Sequence, residues 1–153
     1  MESLVELIEK QSFFMGFSSD KIELLVDCAS KETVRKGNYI FKTGEDAGKF
    51  YLINEGSVSL EINTPDDEII SIQSLEKGEI LGWSWQFPPY KWNFDARAIE
   101  DTNLIAFDTK CFFETCKVNL LMAYEIQKRF SEIMLKRLQA ARIQLIELKS
   151  SKT

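Results

Sequence analysis

KGNYIFKTGEDAGKFYLINEGSVSLEI, residues 36–62, decides the fold. Gly37, Gly44 and Gly56 stand in it with short apolar runs between them. Glycine takes positive φ without steric cost, so each of the three marks a tight corner between strands. Around these corners Thr33-Val34-Arg35 reads as a strand, Lys36-Gly37-Asn38 as a turn and Tyr39-Ile40-Phe41 as a second strand. Residues 43–48 form the next turn, 50–54 a third strand, and Glu55-Gly56 the turn after it. Residues 57–63 alternate, with Val58, Leu60 and Ile62 expected inward and Ser59 and Glu61 outward. Thr64-Pro65-Asp66-Asp67 reads as a hairpin turn and residues 68–75 as the returning strand. Residues 94–99 alternate again, and residues 103–107 are a last strand. Short strands with a turn signal every several residues predict a mainly β, antiparallel barrel or sandwich.

Outward from that core, both ends read as helical. Leu4, Val5, Leu7 and Ile8 predict a short first helix, and Phe13, Phe14 and Phe17 anchor it. Ser18-Ser19-Asp20 supplies an N-cap for a second helix, with Glu23 in its first turn. Its apolar residues Ile22, Leu25, Val26 and Ala29 carry it to about Ser30. The expected plan is one domain over 1–153: helices over 1–30, the β roll over 31–108, and helices over 109–150.

Composition narrows the function. With 153 residues, 44% of them hydrophobic, the chain has length for one real core and is not a disordered one. No apolar run reaches the ~18 residues of a membrane helix, and Met1-Glu2 opens no signal peptide. A cytoplasmic protein is expected. Cys28, Cys111 and Cys116 are an odd number at spacings that suggest no framework, so reduced thiols are expected. Histidine is absent, which removes the commonest general base and the commonest metal ligand together. No metal or cofactor is called for: a cupin-type centre lacks its histidines, and an iron–sulfur centre needs about four thiolates. No nucleophile motif, phosphate-binding loop or dinucleotide fingerprint occurs, so the protein reads as non-enzymatic. A net charge of −5 argues against nucleic acid as the main partner.

The stretch GEILGWSWQFPPYKWNFDARAI, residues 78–99, is unlike the rest. It puts Trp83, Trp85, Trp92, Phe87, Tyr90 and a Pro-Pro pair between two strands. Such an insert builds a pocket wall or lid, or else a plug in which the indoles fill the roll. Three tryptophans could stack a flat ligand or enclose a cation. Glu79 either faces a ligand or accepts neighbouring backbone N–H groups and fixes its own loop.

The glycine run of residues 36–62, the Gly78-Glu79 step and the long helix after the roll together resemble the cyclic-nucleotide-binding domain family. That family provides the effector domain of catabolite-activator-type regulators. The resemblance runs from about Ser12 to Leu148 and implies an eight-stranded antiparallel jelly roll with flanking helices. Gly78-Glu79-Ile80 is similar to the start of the family's phosphate-binding cassette. By that likeness Glu79 stands where a glutamate accepts from the ribose 2′-hydroxyl. Backbone N–H groups of Leu81, Gly82 and Trp83 would face the phosphate at the start of a short helix. Two positions depart from the pattern. Leu81 stands where the family places a small residue, the glycine coming one later at Gly82. Trp92 stands where the phosphate arginine belongs, next to Asn93, with Arg97 further along in the following strand. Lys91 is only a compact point charge aimed elsewhere. A buried phosphate without its cation is costly, so the resemblance implies the fold rather than tight binding of cyclic AMP or cyclic GMP. At these points the sequence is more similar to oxygen-responsive members whose pocket does not serve cyclic nucleotides. A small-molecule or nucleotide-like ligand of another kind stays open.

The terminal helix, residues 119–148, carries a second signal. Met134, Leu138, Ala141, Leu145 and Leu148 recur alternately four and three residues apart, a coiled-coil seam for a homodimer. Ile126, Phe130, Ile133 and Ile143 make a second apolar set. From residue 125 onward Lys128, Arg129, Lys136, Arg137, Arg142, Lys149 and Lys152 face only Glu125, Glu132 and Glu147, a net +4 against −9 for the remainder. That asymmetry suits docking on an acidic protein surface, or only a solvated helix face. A DNA-binding helix-turn-helix comes after this helix in activator-type relatives. The chain stops at Thr153, so no direct DNA contact is expected.

Overall fold

Eight strands pair antiparallel in two four-stranded sheets in the computed structural model, which describes residues 2–151. They are β1 (Ala29–Val34), β2 (Tyr39–Phe41), β3 (Lys49–Glu55), β4 (Ser57–Asn63), β5 (Ile69–Glu76), β6 (Ile80–Leu81), β7 (Asp95–Ala98) and β8 (Thr102–Asp108). One sheet runs β1-β8-β3-β6 and the other β2-β7-β4-β5, the expected jelly roll. Gly56 shows how a corner is enforced. Its φ is +109°, and a Cβ there would stand 2.7 Å from the Thr102 Cα, so no other residue makes this turn without moving the strand.

Paired rows fill the roll. Val58 lies between Ala98 and Leu75, Leu60 lies beside Ala96, and all five are buried. In β3 the run from Phe50 to Ile53 is buried on both faces. The Phe50 and Phe107 rings stack at 4.7 Å, and Phe14 from the N-terminal segment lies 5.7 Å from Phe107.

The alternation expected in β4 is not observed: every residue from Ser57 to Glu61 is buried. Ile62, expected inward, is 42% exposed, whereas Ser59 and Glu61, expected outward, are buried. The reason is that β7 pairs β4 only from Val58 to Glu61. Beyond Glu61 the β4–β5 hairpin continues without a third strand, and Ile62 pairs with a similarly exposed Ile70. Glu61 sits under the guanidinium of Arg97, which grips both carboxylate oxygens at 3.1 Å and 2.7 Å. The Ser59 and Ser71 hydroxyls lie 2.8 Å apart.

Three short elements precede the roll: α1 (Leu4–Glu9), a 3₁₀ turn (Ser12–Phe14) and α2 (Ser19–Val26). The Ser3 and Ser18 hydroxyls cap the two helices, accepting from the N–H of Glu6 and Lys21. α2 stops at Val26 rather than near Ser30, because Ala29 and Ser30 pair with Phe107 and Ala106 of β8. Strand pairing overrides the helical periodicity there. After β8 come α3 (Thr109–Lys117) and α4 (Leu120–Ser150).

The expectation of three reduced thiols is corrected: Cys28 and Cys111 form a disulfide, their Cα atoms 5.4 Å apart, and Cys116 is the free cysteine. A separation of 83 residues hides this pair from spacing arguments; only the fold brings the end of α2 beside α3. The described chain divides into two units, the first ending at Thr115 and the second beginning at Cys116. In the second, Met122, Ile126 and Phe130 of α4 are buried, and the helix is exposed from Leu138 to Ser150. Lys152, counted in the basic set, lies outside the described residues. No described helix is long and apolar enough to cross a membrane.

Candidate functional site

The segment that resembles the family's cassette begins at a turn held from several sides. Gly78 takes a φ of +90° and donates to the Ile53 carbonyl at 2.7 Å, and the Glu79 carbonyl accepts from Ile53 N–H at 3.0 Å. The Glu79 side chain is exposed and accepts from the Glu76 N–H at 2.6 Å. In this structure, therefore, the carboxylate that the resemblance assigns to a ribose hydroxyl closes its own turn. Ile80 and Leu81 are fully buried in β6, paired with Leu52 and Tyr51. Leu81 thus belongs to the sheet rather than to a helix start. Beyond Gly82 the expected short helix is replaced by one 3₁₀ turn, Ser84–Gln86, with Trp83 half-buried ahead of it.

Two indoles pack the interior. Trp92 is 3% exposed and stacks on Phe41 with centroids 3.8 Å apart and planes 7° from parallel. Its far edge rests on Gly82, where an added Cβ would stand 2.5 Å from Trp92 Cη2. Trp85 is 4% exposed, stacks on Phe50 at 5.3 Å, and meets the rings of Phe112 and Phe113 edge-on at 5.7 Å and 5.2 Å. Its indole N–H donates to the Gly82 carbonyl at 3.2 Å, so both tryptophans converge on one glycine.

The position of Trp92 is fixed by the turn after β2. Gly44 N–H donates to the Trp92 carbonyl at 2.9 Å, Trp92 N–H to the Glu45 carbonyl at 3.0 Å, and Ala47 N–H to the Tyr90 carbonyl at 2.8 Å. Lys91 closes the same seam with a 2.6 Å ion pair to Asp46, which holds that carboxyl below its usual range. Thr43 is tied in by its N–H and hydroxyl, both bonded to Asp95. Asn93 is exposed. Arg97 faces Glu61, and that hydrogen bond first, then the carboxylate's charge, raises the guanidinium's pKa. Of the residues expected to form a site, Ile80, Leu81, Gly82 and Trp92 gather in the interior; Glu79 and Asn93 do not join them. Sequence reasoning missed Phe41 and the 43–47 turn as the partners of Trp92. The glycine and acidic residues of that turn signalled a corner, but nothing in them named what it pairs with.

The roll, the cassette order and the terminal helix place the chain in a family. Residues 31–119 match the cyclic nucleotide-binding domain model, and the chain belongs to that family. It is similar to the anaerobic regulatory protein of Bacillus subtilis (strain 168), 26% identical over 115 residues, 74% of this chain and 48% of that protein. It thus spans about half the length of that relative. In fold it resembles a cyclic nucleotide-binding domain from Methylobacillus flagellatus KT, with a TM-score of 0.79 at 15% identity over 94% of this chain and 80% of that one. The catabolite activator protein of Thermus thermophilus matches with a TM-score of 0.72 at 20% identity, over 90% of this chain and 62% of that one.

Proposed function

We propose that this chain is a non-enzymatic, cytoplasmic regulatory domain whose cassette is packed by its own indole, so that cyclic AMP and cyclic GMP bind weakly or not at all. The observation that carries this reading is Trp92, stacked on Phe41 and pressed against Gly82 where the family places its phosphate arginine. A phosphate entering there would meet an apolar ring instead of a guanidinium, and a buried anion without a cation is strongly disfavoured. The guanidinium nearest in sequence, Arg97, is already committed to Glu61. The domain then acts through conformation or association, as a sensor of a different ligand or as a closed interaction module. Calorimetric titration with both cyclic nucleotides tests it: no binding tighter than about 10 μM, or about 7 kcal/mol, is expected. A tighter constant for either one overturns the reading.

A second reading is favoured by α4. Leu138, Leu145 and Leu148 of the seam are each about half exposed, an apolar stripe that a parallel copy of the helix would cover. We infer a homodimer through Met134, Leu138, Ala141, Leu145 and Leu148. Leu138→Asp or Leu145→Asp would each place a charge in the seam and split the dimer. Sedimentation of the wild-type chain as a monomer at micromolar concentration rules it out.

A further inference from the structure

We propose that the Cys28–Cys111 bridge is a thiol–disulfide exchange site whose state sets the packing of the cassette, independently of whether the cassette takes a ligand. The two cysteines differ in exposure: Cys28 is 6% exposed, whereas Cys111 is half-buried on α3. A dithiol reductant therefore attacks Sγ of Cys111. Cys28 leaves as the thiolate with the Thr115 hydroxyl 3.7 Å away. The second thiol of the reductant then displaces the Cys111 sulfur. Two electrons and two protons pass to the protein, which holds two thiols, and the reductant leaves as a disulfide.

The contacts that this exchange would release are specific. The bridge ties α3 to the junction of α2 and β1, a junction itself fixed by the Asp108 N–H donating to the Cys28 carbonyl at 2.8 Å. The two residues after Cys111 are Phe112 and Phe113, the rings that close edge-on over Trp85. Trp85 in turn holds the Gly82 carbonyl, against which Trp92 lies. Chain adjacency at Cys111–Phe112–Phe113, the rings on Trp85 and the two tryptophans on Gly82 thus lead from the sulfurs to the cassette, all within the first unit. With the bridge open, the first turn of α3 keeps its cap, in which the Cys111 N–H donates to Asp108 Oδ1, but loses its covalent tether. The two rings are then free to shift off Trp85.

Hydrogen exchange read by mass spectrometry on the full chain, with thiols counted in parallel, tests this. The untreated protein should show one free thiol and, after dithiothreitol, three. Amides of residues 83–87 should exchange about tenfold faster on reduction while β3 and β8 hold. Cys111→Ser should reproduce the fast cassette without reductant, and Cys116→Ser should change nothing. Three free thiols in the untreated protein, or a bridge that dithiothreitol does not open, overturns the proposal. So does full reduction with unchanged exchange in 83–87. Exchange rising in β3 and β8 together with the cassette also overturns it, since the bridge would then be a staple of the whole unit.

Discussion

Gly82 and Trp92 occupy one space, and a double-mutant cycle can measure it. A methyl at residue 82 would lie 2.5 Å from the Trp92 ring on a backbone at φ +98°, so Gly82→Ala is expected to cost about 2 kcal/mol or more. Trp92→Ala empties a buried indole site and is expected to cost about 3–5 kcal/mol. Because the truncation makes room for the methyl, the double variant should fall short of the sum by about 1 kcal/mol or more in urea melts. Strict additivity would mean that the indole does not rest on Gly82. Tyr51 offers a test by pH. Burial first, and then the charges of Glu32 and Glu45, push its phenol from 10.0 up to about 12. The neutral form is the one the fold favours, so this contribution is complete below pH 10 and is lost as pH rises toward 12. About 2 kcal/mol should disappear over that window in thermal melts. Tyr51→Phe should flatten the decline, and an equal decline in both chains sinks the assignment.

At the scale of the element, the strand β4 separates what was legible from what was not. Gly37, Gly44 and Gly56 could be read because a corner that needs positive φ must be written locally, and glycine is how it is written. Residues 78–99 could be singled out by Gly78-Glu79 and their aromatics. Their interior could not be described, because Trp92 depends on Phe41 and on a turn about 45 residues away. Within β4 the period-2 pattern reports two faces but not how many neighbours cover each. Glu61 is buried because Arg97 of β7 lies over it, and Ile62 is exposed because β7 has ended. The Cys28–Cys111 bridge is the same kind of fact, a juxtaposition of distant segments. The Glu61–Arg97 pair gives this scale its prediction. Arg97→Ala leaves a buried carboxylate without its cation. The cost should be about 2 kcal/mol, below that of a fully buried pair because Arg97 is itself about a third exposed. Adding Glu61→Gln removes the charge and should restore part of the loss. A double variant as unstable as Arg97→Ala alone would show that the pair matters only as packing.

For the whole chain, the segregation of charge makes two kinds of association respond to salt with opposite sign. Residues from 125 onward carry +4 and the remainder −9. A parallel dimer through α4 brings two positive helices side by side. The repulsion between them is screened as the Debye length falls to about 10 Å at 0.1 M salt. Self-association should therefore tighten between 20 mM and 200 mM sodium chloride, an estimate on the order of a few-fold in the dimer constant. Docking of the same helix on an acidic partner runs the other way, because there the charges attract and screening weakens them. Reversing Lys136, Arg142 and Lys149 to Glu separates the two, since all three are exposed and Arg137, which is half-buried, is left in place. The triple variant should melt within a few degrees of wild type, as exposed substitutions do. Its dimer should show a weaker salt dependence, because the reversals take each helix from +4 to 4 − 6 = −2 and reduce the repulsion that salt relieved. An acidic partner recovered by the wild-type chain from its own source should no longer be recovered. Unchanged recovery would show that α4 carries its positive charge only as a solvated face. A wild-type dimer that loosens with salt would show that its seam is held by ion pairs rather than by Leu138 and Leu145.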